Sequence, residues 1–271
     1  MFTIRIVSTA VLLSVTSASS AQDAAAQLAA AQEQYRAGDF DGALLRLEPL
    51  LGADGLDQPS KQRVRELAAR VLQSRGENHF REARIAKSIA DFDRQLQLQP
   101  DRAAEHWQRG IAYYYAGEYE KGARQFELHR TVNPQDVENA AWHFLCVVRA
   151  PKGSVEAARR QLIPVTGDSR IPMAQIQQML AGATTTEDVL RAGEEAGGAA
   201  KFYADLYVGL YYEALGRDDE SLRLVTLAAN NRAAKNSYMG DVARVHVTLR
   251  KKATASPGNG KHNDHSEGHG K

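Results

Sequence analysis

Two residues near the middle of the chain have the types and the spacing that nucleophilic catalysis would need. His143 and Cys146 stand three residues apart, which places both on one face of a helix. A thiol becomes a catalytic nucleophile when a base lies within hydrogen-bond reach and a third group orients that base. Trp142, Phe144 and Leu145 surround the pair, a composition typical of a core helix in which a thiol packs as a small hydrophobe. The sequence therefore favours a structural role for Cys146 and leaves catalysis as the alternative.

The C-terminal tail carries a second group of chemically competent residues. His262, His265 and His269 lie in a segment of mostly Gly, Ser, Asn, Lys and His, which is too polar to fold by itself. Imidazole suits Zn²⁺ and Cu²⁺, so these histidines are weak candidates for a loose metal site. The alternative is a flexible tail with incidental histidines. Because the chain also has no glycine-rich phosphate loop and no Cys-x-x-Cys or His-Glu-x-x-His motif, we expect neither a cofactor nor enzymatic activity.

The elements that must position any functional residue are predicted by a repeated glycine phrase. It occurs as Gly38-Asp39-Phe40, as Gly117-Glu118-Tyr119 and, in degraded form, as Gly216-Arg217-Asp218. Gly110 stands seven residues before Gly117, and Gly209 stands seven residues before Gly216. The second and third copies of the phrase lie 99 residues apart. That distance is close to three times the period of about 34 residues of a tetratricopeptide repeat. With apolar residues at helical spacing and no strand pattern, the sequence predicts an all-α, tetratricopeptide-like helix-turn-helix solenoid with an irregular helical middle.

The predicted organisation follows from where this pattern is clear and where it weakens. Gly76 is expected to be the turn of the second helix pair, which would make the helix from Asn78 to Leu98 overhang its neighbours by about two turns. Prolines and glycines divide the middle into short helices. The predicted parts are a signal peptide (1–21), N-terminal repeats (22–134), irregular short helices (135–198), a C-terminal repeat with a capping helix (199–252) and a disordered His-rich tail (253–271).

The N-terminal segment predicts export from the cytoplasm. Arg5 is followed by the largely apolar stretch Ile6 to Val15 and by the small residues Ser19-Ser20-Ala21, a pattern typical of a secretory signal peptide. Apart from Arg5 the basic residues equal the 33 acidic ones, so the processed chain would be formally neutral. A neutral chain has no overall field to attract nucleic acid or an anionic membrane. We expect a periplasmic or secreted protein without a membrane span after cleavage.

Aromatic residues on the two best-formed repeats are the candidates for binding a partner. In a tetratricopeptide pair the first helix lines the concave groove, and exposed Tyr and Trp are effective anchors for peptides. Arg109 would be a candidate for holding a carboxylate. The alternative, which the sequence leaves open, is that these side chains pack between helices. The groove candidates are Trp107, Arg109, Ile111, Tyr114, Tyr115, Tyr203, Leu206, Leu210 and Glu213.

Several of these segments together resemble the NlpI family of tetratricopeptide lipoproteins in the bacterial envelope. The similar segments are Gln108 to Gly117, Asn133 to Asp136, Ala141 to Leu145 and Tyr207 to Gly216, and the resemblance covers roughly residues 78–250. It implies a dimeric adaptor that brings a periplasmic protease or cell-wall hydrolases to their substrates. This chain has Gln22 where those proteins carry a lipidated cysteine, so a soluble form is expected.

The sequence thus predicts a non-catalytic scaffold that binds protein or peptide segments of the cell envelope in a concave groove. One competing interpretation is an enzyme or metal carrier that uses His143, Cys146 or the histidine tail. Another is a purely structural homodimer whose aromatic faces are consumed by self-association. No nucleic-acid partner is expected.

Overall fold

The helices of the molecule pack mainly against their neighbours along the chain. The structure is a computed structural model that describes the backbone of residues 10–255 and the side chains of residues 22–253. Within these residues the chain is helical and has no strand, which confirms the predicted all-α solenoid. The helices are α1 Ala10–Arg36, α2 Phe40–Leu51, α3 Gln58–Arg81, α4 Ile85–Leu98, α5 Trp107–Tyr115, α6 Tyr119–His129, α7 Val137–Arg149, α8 Val155–Arg160, α9 Met173–Ala181, α10 Thr186–Ala196, α11 Gly198–Ala214, α12 Asp218–Asn230 and α13 Tyr238–Ala255, with short 3-10 helices at Pro100–Glu105 and Arg232–Ala234.

The turn within each helix pair is made by one residue with a positive φ angle. Gly38, Gly117 and Gly216 have φ angles of 79°, 76° and 73°, which is the left-handed region that glycine enters without steric cost. Ala83 takes the same position between α3 and α4 with a φ of 57°. The three turns that the repeated phrase predicted are therefore confirmed, and the fourth carries an alanine.

The prediction that Gly76 is a turn was wrong. Gly76 lies inside α3, where a methyl group added to it would stand 2.6 Å from an atom of the Phe92 ring on α4. The turn comes seven residues later, at Ala83, so α4 has the ordinary length of a second helix and α3 the greater length. The expected overhang of a helix from Asn78 to Leu98 is wrong for the same reason: that range spans the end of α3, the turn and α4.

Glycines inside the first helices allow the two helices of a pair to approach closely. A methyl group at Gly110 would stand 2.7 Å from the Phe126 ring, and one at Gly209 would stand 2.6 Å from Val225. In each pair the contacted residue comes 16 positions after the glycine, as Phe92 does after Gly76. The close approach is thus a shared property of the pairs α3/α4, α5/α6 and α11/α12.

The irregular middle of the chain packs into the solenoid. Helix α9 contacts α7, and α10 contacts α11. Buried side chains of this segment, such as Ile176, Met179 and Val189, belong to the same hydrophobic core as α5, α7 and α11. Thr185 and Asp188 form a capping box at the start of α10. A second core joins α1, α2 and α3.

Helix α13 returns to the N-terminal half of the molecule and packs on α3. The ring of Tyr238 stacks on Phe80, with ring centroids 5.3 Å apart, and meets the edge of Trp107 at 5.0 Å. Arg81 forms an ion pair with Asp241 at 3.2 Å. The face of the repeats that the sequence predicts to be an open groove is therefore partly covered by α13 of the same chain.

Two remaining predictions concern the ends of the chain. Within the described residues, α1 covers 10–36 and therefore includes part of the predicted signal peptide. The first nine residues and residues 256–271, which include His262, His265 and His269, lie outside the described residues. Among the residues that the structure does describe, none of the helices combines the length and the apolar character needed to cross a membrane.

Candidate functional site

Most of the predicted groove residues face the interior of the repeats. Tyr114 and Glu213 occupy equivalent positions in their repeats, four residues after Gly110 and Gly209, and the Tyr114 hydroxyl donates a hydrogen bond of 2.5 Å to the Glu213 carboxylate. The two repeats therefore present corresponding faces to each other. These groove candidates therefore pack between helices, which is the alternative that the sequence left open. The buried residues are Ile111, Tyr114, Leu206, Leu210 and Glu213.

Three of the predicted aromatic residues are only partly buried. Trp107 lies at the start of α5 against Tyr238. Tyr115 packs on the edge of Phe80, and its hydroxyl lies 3.3 Å from His246 Nδ1. Tyr203 stands at the surface of α11. Of these three residues, Trp107 and Tyr203 line a cavity that a ligand could enter.

Arg109 does hold a carboxylate, but that carboxylate belongs to its own chain. Its Nε donates a hydrogen bond of 2.7 Å to Asp93 on α4, and its Nη1 donates one of 3.1 Å to Gln125. The guanidinium also lies over the ring of Tyr113, 5.0 Å from the ring centroid. In this arrangement Arg109 joins the pairs α3/α4 and α5/α6 rather than facing a partner.

Buried charged groups connect the N-terminal and C-terminal repeats. The side chain of Glu213 is 1% exposed and forms ion pairs with Arg149 on α7, at 3.1 Å, and with Arg250 on α13. His246 is fully buried beside them, and burial lowers the pKa of its imidazole to about 4. A buried charge is tolerated when it is paired, so this network is stable only while all its members are present.

The pair that could have supported catalysis is part of the core. Cys146 is fully buried, and a methyl group at Gly122 would stand 2.7 Å from its sulfur. Burial raises the pKa of the thiol well above its usual value, which keeps it protonated. His143 is also buried, and its Nε2 lies 3.3 Å from a carboxylate oxygen of Glu127. This environment fits a packing role for both residues.

Metal chemistry has no candidate in the described part of the chain. No cluster of three or more His, Cys, Asp or Glu residues within it could hold an ion. The histidines of the tail lie outside that part, so the weak metal site predicted there stays a prediction.

A polar concavity between the first helices of successive pairs is the larger of two candidate sites. It has a volume of about 600 Å³ and runs along α3 to the end of α4 and the start of α5. Gln73 and Gln108 both donate hydrogen bonds to Glu77, at 2.7 and 3.5 Å. We call this concavity the polar cleft and define it by Gln73, Glu77, Gln95, Gln99, His106 and Gln108.

His106 gives the polar cleft unused hydrogen-bonding capacity. Its side chain is buried, and neither ring nitrogen has a hydrogen-bond partner. Burial, with a smaller effect from the nearby Arg109 charge, lowers its pKa to about 4, so the ring is neutral at pH 7 and offers one donor and one acceptor. Gln95 Oε1 is a further buried acceptor without a partner. Unpaired polar groups of this kind cost about 1–3 kcal/mol each, which a suitable ligand could offset.

The second candidate site is a smaller cavity lined by aromatic rings. It has a volume of about 380 Å³ and lies among α5, α6, α7, α11 and α13. Trp107 lines both this cavity and the polar cleft, so the two sites adjoin each other at that residue. We call the cavity the aromatic pocket and define it by Trp107, Phe126, Trp142, Tyr203, Tyr238 and Met239.

Most residues of these sites escaped the sequence analysis, although a signal for the polar cleft was present. Gly76 precedes Gly110 by 34 residues, the period of the repeat. Moving the predicted groove positions Trp107 and Ile111 back by one period gives Gln73 and Glu77, which do line the cleft. Treating Gly76 as a turn concealed this relation. Tyr238 lines the aromatic pocket because α13 returns to α5, and no local pattern predicts that contact.

Comparisons with known proteins do not identify a family for this chain. No model of a known protein family matches the chain, and no curated protein matches it.

Proposed function

We propose that the protein is a non-catalytic scaffold of the bacterial cell envelope that binds an extended segment of a partner protein in the polar cleft. The observation that carries the proposal is the cleft itself: a polar concavity of about 600 Å³ between the first helices of two repeats. Concave surfaces that are formed before binding hold extended segments at little conformational cost to the receptor.

The side chains of the cleft fit a peptide backbone better than a charged small molecule. Carboxamides and a neutral imidazole each present donors and acceptors, as the peptide group does. The cleft residues Gln73, Gln95 and Gln108 supply the carboxamides, and His106 supplies the imidazole. Two arginines and three glutamates line the cleft, and one of the arginines, Arg102, is paired with Glu105, so there is no excess of positive charge to attract an anion. The cleft would bind main-chain groups, and Trp107 at its end would contact an apolar side chain.

The envelope location is supported by the N-terminal segment and by the resemblance to the NlpI family. That resemblance extends the proposal to partners such as periplasmic proteases and cell-wall hydrolases. The burial of Cys146 and His143 supports a binding role over a catalytic one.

Selection of peptides by the full chain tests the proposal. Peptides selected from a random library would be measured by fluorescence polarisation against the protein and two variants. Gln108→Ala removes a cleft carboxamide and should weaken binding about tenfold, as expected for the loss of about 1.4 kcal/mol. The matched control is Gln178→Ala, an exposed glutamine on α9 that should leave binding unchanged. Equal weakening by both variants, or by neither, would exclude the cleft as the binding site.

A further inference from the structure

The aromatic pocket has a wall composition that favours one class of ligand. Five aromatic rings line it, and both tryptophans of the chain are among them. The face of an aromatic ring carries negative potential, and Trp and Tyr faces attract organic cations more than they attract neutral groups of the same size. A cavity of about 380 Å³ is large enough to take an amine or the end of a side chain.

The charged residues at the edge of the pocket also favour a cationic ligand. Asp136 and Glu138 line it, and no Lys or Arg does. Arg170 pairs with both carboxylates, at 2.9 and 2.5 Å, and also with Asp168 at 2.6 Å. Three carboxylates against one guanidinium leave an excess of negative charge. Burial raises the pKa of Glu138 despite the opposing effect of Arg170, and a further cation beside it would favour the carboxylate.

The wall of the pocket also contains polar atoms that have no hydrogen-bond partner. Asn139 is 3% exposed, and its amide nitrogen donates to the Phe126 carbonyl at 3.1 Å, while its Oδ1 has no partner. His129 Nδ1 lies 2.8 Å from the Ala104 carbonyl oxygen. Because a carbonyl can only accept, Nδ1 carries a proton and donates this hydrogen bond. Trp142 Nε1 is an unpaired donor, which suits a ligand that carries an oxygen near its charge.

We infer that the aromatic pocket binds an organic ammonium group. The group is a free amine or quaternary ammonium compound, a lysine side chain or a peptide amino terminus. This inference goes beyond the proposed function, because it concerns a separate cavity and would hold even if the polar cleft bound no peptide.

Tryptophan fluorescence of the full chain tests the inference directly. Since both tryptophans line the pocket, their emission reports on it without a label. The probes are choline and 3,3-dimethylbutan-1-ol, a neutral molecule of nearly the same shape. Choline should change the emission with saturation, and the neutral isostere should bind at least tenfold more weakly. Equal titration by choline and its neutral isostere would overturn the inference.

Two variants locate the binding. Tyr203→Leu removes a ring of the pocket and should weaken choline binding at least fivefold, whereas Tyr35→Leu, which replaces a half-buried tyrosine at the edge of the polar cleft, should not. In the wild type the Tyr207 hydroxyl donates a hydrogen bond of 2.8 Å to Glu138. Glu138→Gln keeps an oxygen acceptor for this bond and removes the negative charge. It should weaken choline binding and leave the neutral isostere unaffected. If both pocket variants fold and bind choline as the wild type does, the assignment is wrong.

The source of the ammonium group is separated by two further probes. N-acetyl-lysinamide presents only a side-chain ammonium, and leucinamide presents only an α-ammonium beside a carbonyl. Saturable binding of either one supports the inference and identifies that source, and choline binding without either supports a free quaternary ligand. Failure of all three cations at concentrations that leave the protein folded would overturn it.

Discussion

Glu213 shows how a single buried charge can join two halves of a molecule. Its carboxylate accepts from Tyr114 on α5 and pairs with Arg149 on α7 and Arg250 on α13. Each partner lies on a different helix, so the interaction fixes the position of the C-terminal repeat relative to the N-terminal one. Buried ion pairs add little net stability compared with apolar residues, but removing one member of such a pair destabilises the folded protein.

Replacing Glu213 with Gln should therefore destabilise the protein by about 1–3 kcal/mol, because the partly exposed guanidinium groups of Arg149 and Arg250 would lose a charged hydrogen-bond acceptor. Chemical denaturation followed by circular dichroism measures the change. Glu220→Gln is the matched control, because Glu220 pairs with Arg217 at the surface, where water screens the interaction and its loss should change stability little. Similar losses in the two variants would show that the Glu213 network is not a structural connection.

His246 should make the stability of the fold depend on pH. Its imidazole has a pKa of about 4 in the folded protein, lowered by burial and by the Arg149 charge, against about 6.5 in an unfolded chain. Between these values the unfolded chain binds the proton and the folded chain does not, so stability falls as the pH falls from about 6.5 to about 4.

The variant His246→Gln removes this titration. From pH 7 to pH 5 the wild type should lose about 2 kcal/mol more of its unfolding free energy than the variant does, which denaturation curves at the two pH values measure. Other buried histidines, such as His106, contribute in the same direction to both proteins and cancel in the difference. An unchanged pH dependence in the variant would contradict the assignment of a neutral His246.

At the scale of the element, each helix pair depends on a close contact and on a turn. The contacts at Gly76, Gly110 and Gly209 leave no room for a methyl group. The turn after α3 is the exception to the rule, because Ala83 has a φ angle that costs an L-residue roughly 1–2 kcal/mol.

Replacing Ala83 with Gly should stabilise the protein by about 0.5–1 kcal/mol. The relief of backbone strain exceeds the entropy that glycine adds to the unfolded chain, which is about 0.4–1 kcal/mol. Thermal or chemical denaturation detects the gain. The same substitution at Ala90, an exposed position in the interior of α4, should cost about 1 kcal/mol. Destabilisation by Ala83→Gly would mean that the turn carries no strain.

At the scale of the whole molecule, local patterns predicted the elements and failed at long-range contacts. The glycine phrase predicted three turns, and the prolines and glycines of the middle predicted its division into short helices. The turn between α3 and α4 was not predicted, because it is made by Ala83 and the prediction of such turns from sequence depends on glycine. The groove-facing positions such as Tyr114 were identified, but whether a groove is open depends on which helix covers it. That depends on Tyr238 reaching Phe80, a contact between residues far apart in the chain.

The same reason explains why the functional sites emerged only from the structure. Trp142 has the sequence context of a core residue and is buried, yet it also lines the aromatic pocket. His106 gives no pattern at all, because its significance lies in two unpaired nitrogens. Both properties arise from packing that local sequence does not encode.

Site-specific photo-crosslinking is the most direct test of the central claim that the polar cleft binds partner segments. Arg70 and Arg65 are exposed residues on the same helix, α3, and Arg70 lines the cleft while Arg65 does not. A photoreactive residue would replace each in the full chain, and the proteins would be irradiated with envelope extract and analysed by mass spectrometry. The account predicts a discrete set of crosslinked partners from position 70 that is missing from position 65. The same partners from both positions, or partners from position 65 alone, would contradict it.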